Sequence, residues 1–287
     1  MGQERFKEGA IFQTANELGG LEFLTAKYKT HNFSRHSHEG FTIGVIEKGA
    51  QRFFRNGGDH VAPQDSIILV NADQVHNGQS ATEDGWEYKA MYPLPEQFAS
   101  LTQGISNEPT IPYFPEPVVY DPEMAQQLRL VFNTLENSSN RLLRETLVYG
   151  TLVKLMARHG KKRREYEPNS RSKKQLLVAK EFLDDFPQAD VSLEELAKLA
   201  NLSPYHFARA FQKEFGFPPH AYQVQSRLRY ALRLMKQGRT LSDVAQESGF
   251  HDQSHLHRHF KRAMGVTPKQ YVKSLTNKEQ FYPISSS

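Results

Sequence analysis

Residues 251–260 read "HDQSHLHRHF", and two of the four histidines, His255 and His259, stand four positions apart. On a helix that spacing puts both imidazoles on one face, which is how a helix offers a pair of ligands to zinc. A second group lies early in the chain, with His36 and His38 in "HSHEGFTIGVIEKG" (36–49) and His76 in "GDHVAPQDSIILVNADQVHN" (58–77). Imidazole also hydrogen-bonds, transfers protons and contacts phosphate, so the elements holding it decide its chemistry. For the pair at 255 and 259 a zinc site needs a third ligand, and none has suitable spacing nearby.

The 287 residues leave room for two domains, each with its own core. No run of about 18 apolar residues is present, so no membrane span is expected. The opening "MGQERFKEGA" lacks the apolar stretch of a signal peptide. Cysteine is absent, which excludes a disulfide framework and a thiolate nucleophile and makes a cytoplasmic location the simplest expectation. Charge divides the chain. Residues 1–159 carry 14 Lys and Arg against 19 Asp and Glu, whereas residues 160–287 carry 22 against 13. The second half would attract a polyanion and the first would not. The polar run "KKRREYEPNSRSKK" (161–174) marks the break and is read as an interdomain linker.

The basic half repeats itself. Residues 192–222 align with 241–271: Leu193, Ala197 and Leu202 meet Leu241, Ala245 and Phe250 at an offset of 48. After one extra residue the offset becomes 49, and Phe211, Gly216, Pro219 and Tyr222 meet Phe260, Gly265, Pro268 and Tyr271. Each copy reads as helix, short turn, helix. Ser192 with Glu195 forms a capping box, and Ser203 before Pro204 starts the second helix. In the other copy Thr240 and Asp252 take the capping positions, and Gly249 ends the first helix. Between the copies, residues 219–238 form a long amphipathic helix. On a helix beginning after Asp252, Leu256 and Phe260 face inward while residues 253, 254, 257 and 258 face outward. A short helix, a tight turn and a second helix with polar and basic residues outward is the design that enters the DNA major groove.

The block from Ser172 to Leu275 resembles the DNA-binding domain of the AraC/XylS family of bacterial transcription regulators. Its "SDVAQESGFHDQSHLHRHFKRAMGVTPKQY" carries the family skeleton. The resemblance implies two helix-turn-helix subdomains joined by one linker helix. It places contacts to bases or backbone at Gln253, Ser254, His257 and Arg258, and at Tyr205, Ala208 and Arg209 in the first copy, with Ser203 and His206 near phosphates. The side chains suit this, since Arg pairs with guanine and Gln with adenine. His255 and His259 then fall on the packing side.

The acidic half changes to short strands with turns: 41–47, a turn at Lys48-Gly49, 51–55, an Asn56-Gly57 hairpin, 66–70 and 86–92. A small barrel is expected. Residues 121–159 carry two apolar stripes of helical period, which suggest a homodimer interface. The two histidine-bearing stretches resemble the cupin motifs, and the AraC/XylS family commonly carries such a barrel as its effector sensor. Catalytic cupins add a carboxylate ligand just after the second histidine, where this chain has Phe41-Thr42-Ile43. The three histidines are therefore read as lining the pocket or satisfied by hydrogen bonds, with a three-histidine metal site as the open alternative, and no cofactor and no catalytic residue is expected. His36, His38, Thr42, His76, Trp86 and Tyr88 are the candidate effector contacts.

The expected architecture is α+β with two domains. Residues 8–120 form a cupin-like β-barrel, 121–160 a helical dimerisation segment, 161–171 a linker, and 172–275 an all-α double helix-turn-helix domain. The expected function is that of a sequence-specific, effector-responsive transcription regulator. Its partners are double-stranded DNA and a small molecule, with RNA polymerase a further partner the resemblance allows. The rival is a cupin metalloenzyme, dioxygenase-like, fused to a DNA-binding module. The N-terminal segment 6–20 is expected as an arm hinged at Gly19-Gly20 that orders over the barrel when effector binds.

Overall fold

A computed structural model of the chain describes residues 8–55, 57–103, 111–162 and 171–276. The chain divides into two compact units: the main changeover lies between residues 162 and 171, and residues 262–266 and 273–276 group with the first unit.

The first unit opens with β1 (Gly9–Ala15), a 3-10 turn (Asn16–Leu18), β2 (Leu21–Tyr28) and β3 (Phe33–His36). It continues through β4 (Thr42–Arg55), β5 (Gly58–Pro63), β6 (Ile67–Val70), β7 (His76–Ser80) and β8 (Trp86–Tyr92). All pairings are antiparallel. The path runs β1-β2-β8-β4-β6, and β4 also pairs with β5 and β7 while β7 pairs with β3. The sheet curls because β4 belongs to two faces. Its residues 42–45 lie against β6 and β8, and residues 50–55 against β5.

The change of face occurs where the sequence suggests a turn. Lys48-Gly49 does not turn the chain: β4 runs through it, with a register shift against β8 between Ile46 and Lys48. Gly49 has φ +69°, and a Cβ there would stand 2.1 Å from the Gly85 carbonyl oxygen. This is a bulge built on glycine, which bends a strand without ending it. The hairpin after Arg55 does form, with Arg55 opposite Gly58; Asn56 itself lies outside the described residues.

The arm expected at 6–20 is also different. Residues 9–15 are β1, paired with β2 along its whole length, and Ala10, Phe12, Ala15 and Leu18 are buried. Gly19 and Gly20, both at positive φ, make the turn into β2. Those apolar side chains already bury their surface in the sheet, so residues 9–18 are part of the fold, while residues 6 and 7 of the expected arm lie outside the described residues.

After β8 come α1 (Pro95–Gln103), β9 (Pro112–Tyr113), β10 (Val118–Val119), which extends the sheet beside β6, α2 (Pro122–Asn137), α3 (Arg141–His159) and β11 (Lys161–Lys162). Asp121 and Asn140 cap α2 and α3, accepting from the backbone N–H of Met124 and Leu143. Both apolar stripes pack onto the unit's own core. Leu128, Val131, Phe132 and Leu135 of α2 and Val148, Leu152 and Leu155 of α3 join Phe41, Ile43, Leu69 and Met91 of the strands. Each such burial stabilises by roughly 1.5–3 kcal/mol. Arg129 fixes α2 to the sheet, donating to Glu47 at 2.9 Å and Asp65 at 2.6 Å. What remains outside is Leu130, Leu142 and Leu143. The start of the expected linker is also structured, because β11 pairs with β9.

The second unit, apart from residues 262–266 and 273–276, is built from α4 (Arg171–Asp185), α5 (Leu193–Leu199), α6 (Pro204–Phe215), α7 (Pro219–Lys236), α8 (Leu241–Glu247), α9 (Gln253–Met264) and α10 (Pro268–Thr276). The offset of 48 carries α5 onto α8, and 49 carries α6 onto α9, as the repeat requires. Asp184 ties α4 to α7. Its carboxylate accepts from Lys180 at 2.8 Å, Ser226 at 2.8 Å and Arg229 at 2.6 Å, and from the Tyr222 hydroxyl at 2.9 Å.

Candidate functional site

The second unit presents two equivalent helices. Ser203 starts α6, its hydroxyl accepting from His206 N–H, and Asp252 starts α9, accepting from His255 N–H at 2.7 Å. Phe207 and Phe211, and in the second copy Leu256 and Phe260, are buried, which fixes the rotation of both helices. Outward on α9 stand Gln253, Ser254, His257 and Arg258, all exposed. Outward on α6 stand Tyr205, His206 and Arg209, with Ala208 half-buried. Arg209 donates to the Tyr205 hydroxyl at 2.9 Å, so these two side chains act as one group. Beside α9 a concavity is lined by Gln253, Ser254, His257, Arg258 and also Lys269, at the start of α10. Lys269 was not selected from the sequence. Its signal is Pro268, which places it in the first turn of a helix beside the outward face of α9.

His255 and His259 are half-buried, with rings 4.7 Å apart and both packed against Phe250, at 5.4 and 6.0 Å. Burial, then the nearby Arg258, lowers the His255 pKa and favours its neutral form. The pair therefore serves packing between α9 and the turn before it.

In the first unit the curled sheet encloses a pocket lined by His36, His38, Thr42, His76 and Tyr88, five of the six candidate effector contacts. The sixth, Trp86, is not among the lining residues. It is buried core, stacked on Tyr88 at 6.3 Å and set against Tyr28 at 5.4 Å. Sequence alternation put it on the correct face, but that face includes more core than pocket. The sequence reading did not select Phe33, Gln51, Phe53 or Tyr92, which also line the pocket. Tyr92 continues the alternation of Tyr88 and was legible on that ground. The barrel strands contribute no Lys, Arg, Asp or Glu to the lining. Arg55, fully buried, donates instead to Gln74 Oε1, the Leu69 carbonyl and the Phe114 carbonyl.

The three histidines converge. Among the described residues they are a group whose ligand atoms lie within 4.8 Å of one another. Pairing of β3 with β7 sets His36 opposite His76. Burial lowers the His36 pKa to about 4, and burial with the neighbouring imidazoles holds His76 well below the ordinary histidine range. Both rings are neutral near pH 7.

Two family models match this architecture in order. One described as "AraC-like ligand binding domain" covers residues 18–152, and one described as "Helix-turn-helix domain" covers 196–274. The chain belongs to the AraC family.

Relatives of this AraC-family regulator agree with that along most of its length. An uncharacterized HTH-type transcriptional regulator of Bacillus subtilis, YbfI, is 28% identical over 82% of this chain and 86% of its own. The transcriptional activator RhaS of Shigella sonnei is 25% identical over 83% and 87%. Among solved structures, Vibrio cholerae ToxT described as bound to unsaturated fatty acid matches with TM-score 0.57 and 13% identity, over 96% of this chain and 98% of that one. This last likeness concerns the fold. The protein is thus a DNA-binding transcription regulator with an effector-binding domain. No helix among its described residues is long and apolar enough to cross a membrane.

Proposed function

We propose that this regulator reads DNA through two successive major-groove segments and does so under control of a small molecule held in the curled sheet. The observation that carries the reading is the repeated helix pair, with the same buried face and an exposed polar face in each copy. The contacts are assigned to Gln253, Ser254, His257 and Arg258 on α9, with Lys269 beside them, and to Tyr205, Ala208 and Arg209 on α6. Ser203 and His206 lie at the phosphate flank of α6. The boundaries are 8–120 for sensing, 121–160 for dimerisation and 172–275 for DNA binding, with RNA polymerase as a further partner. The protein works in the cytoplasm and catalyses no reaction.

Two recognition helices joined by one rigid helix reach sub-sites about 10 bp apart, one helical turn. Footprinting of the full chain on selected DNA should show two protected segments at that spacing on one DNA face. A single short protected segment per chain would refute the two-helix reading.

The pocket wall combines Phe12, Leu24, Phe53 and Ile68 with histidine and tyrosine groups. This suits a molecule with an apolar body and a hydrogen-bonding head. A ToxT structure described with an unsaturated fatty acid adds weight to an amphipathic effector. A thermal-shift screen of metabolites on the full chain tests this, with the effect expected to disappear in Tyr88→Ala. A dimer would use Leu130, Leu142 and Leu143, the apolar side chains that α2 and α3 leave exposed.

A further inference from the structure

The hydrogen bonds of Arg55 join two distant parts of the first unit. Its side chain is fully buried, with Nε donating to Gln74 Oε1 and the two terminal nitrogens donating to the carbonyls of Leu69 and Phe114. Burial pulls its pKa down to about 10, against the opposing pull of Tyr113 and Glu116, so the group is charged near pH 7. A buried cation must keep its partners, and the planar fork fixes where they stand. Asn71 closes a ring with them. Its Nδ2 donates to Gln74 Oε1 at 3.1 Å and to the Phe114 carbonyl at 3.0 Å, and its Oδ1 accepts from Phe114 N–H at 2.8 Å. With Arg55 and Asn71 on it, the Phe114 carbonyl uses both lone pairs. Loss of one bond leaves a buried polar group unpaired, so the ring holds or fails as a whole.

On one side the loop 71–74 carries this ring to the effector pocket. The Gln74 carbonyl lies 2.9 Å from His76 Nδ1, and because a carbonyl only accepts, Nδ1 is the donor. Asp73, at φ 59°, donates its N–H to the His38 carbonyl at 2.8 Å. Two pocket histidines therefore hang on this loop. On the other side Phe114 directly follows β9, whose Pro112 and Tyr113 pair with Lys162 and Lys161 of β11. That ladder is two residue pairs long, and so short a ladder opens easily. β11 is the last described element before the changeover between the units. We propose that Arg55 is a positioning residue that couples the wall of the effector pocket to β11. A molecule that shifts His38 or His76 moves the loop 71–74, and Arg55 passes the shift through Phe114 to the β9–β11 ladder. The ladder is the two-state element, closed or open, that pocket occupancy biases. The inference rests on the effector reading for what moves the histidines. The coupling itself is measured with no effector present, so the two can fail separately.

The test is hydrogen exchange of the full chain, read by mass spectrometry on peptides spanning 111–116 and 158–162. His76→Leu removes the donor to Gln74 without emptying the site. It should speed exchange of both segments about tenfold, although His76 belongs to neither. His76→Asn keeps a side-chain N–H for that carbonyl and should restore the parent rate. Arg55→Met should speed both segments by about tenfold or more, and adding His76→Leu to it should change nothing further. Exchange of β1 and β2 and the emission of Trp86 report general loss of stability and should stay as in the parent. Should Arg55→Met unfold, Arg55→Lys is measured instead, since it keeps the charge without the fork. Unchanged exchange in His76→Leu overturns the proposal. So do additive effects of the two substitutions, a His76→Asn variant as fast as His76→Leu, or a rise that β1 and β2 share.

Discussion

Asp184→Ala offers the sharpest test of how the DNA-binding unit is held together. The substitution removes an acceptor used by four groups and leaves the Arg229 guanidinium, whose side chain is 9% exposed, without its carboxylate. Stripping one partner from a buried ion pair costs about 3–5 kcal/mol. Lys180 can turn to water, and Arg229 keeps Ser226 Oγ at 2.9 Å and the Tyr222 hydroxyl at 3.3 Å. The expected loss is therefore at the low end, about 3 kcal/mol. Arg229→Met leaves Asp184 with Lys180 and should cost less, and the double variant should cost less than the sum of the two. The chain's single tryptophan, Trp86, lies in the first unit, so its emission follows that unit while far-ultraviolet ellipticity is dominated by the helices. In urea, Asp184→Ala should shift the ellipticity midpoint and leave the Trp86 midpoint in place. Burial raises the Asp184 pKa, but Arg229 and Lys180 outweigh it and lower it overall. The pair's contribution is then present above the ordinary aspartate pKa of about 3.9 and is lost as pH falls through the lower folded value. A shift below about 1 kcal/mol in Asp184→Ala, or equal shifts in both probes, would refute the reasoning.

Arg258→Ala should weaken specific DNA binding by about 1–3 kcal/mol and relax preference at one or two base pairs; an unchanged preference in binding-site selection removes it from the base-reading set. Gly49→Ala meets a backbone oxygen at a positive φ and should cost the first unit roughly 3 kcal/mol or more, read from the Trp86 unfolding midpoint. Deleting residues 1–20 removes β1 and its buried side chains. The first unit should lose most of its cooperative unfolding, whereas a disordered arm would be deleted without effect. Leu142→Glu with Leu143→Glu should yield monomers in sedimentation velocity if the exposed end of α3 forms the dimer.

The DNA-binding half was legible because its information is local. Caps, turn residues and apolar spacing recur at two fixed offsets, and burial of Leu256 and Phe260 follows from periodicity alone. The sheet was less legible. "LEFLTAKY" (21–28) alternates well enough to be read as a strand, yet Gly19-Gly20 before it suggested a hinge when they form a turn. Lys48-Gly49 has the composition of a turn, and only the close approach of Gly85 shows that it is a bulge. The burial of Arg55 depends on carbonyls from Leu69 and Phe114, which no local pattern reports. The meeting of His36 with His76 depends on β3 pairing with β7, forty residues apart in the chain.

The one-residue change of offset between the two helix pairs bears on how such a regulator acquires new targets. The scaffolds are interchangeable, since the capping, core and glycine positions correspond. The outward surfaces are only partly alike: Arg209 corresponds to Arg258, but Tyr205 and Ala208 correspond to Ser254 and His257. On the proposed two-helix reading, a substitution on one outward face would rewrite one half of the address while the other half keeps the protein on its operator. Promoters and regulator can therefore diverge in single steps, each intermediate still occupied, which a single undivided recognition surface would not permit.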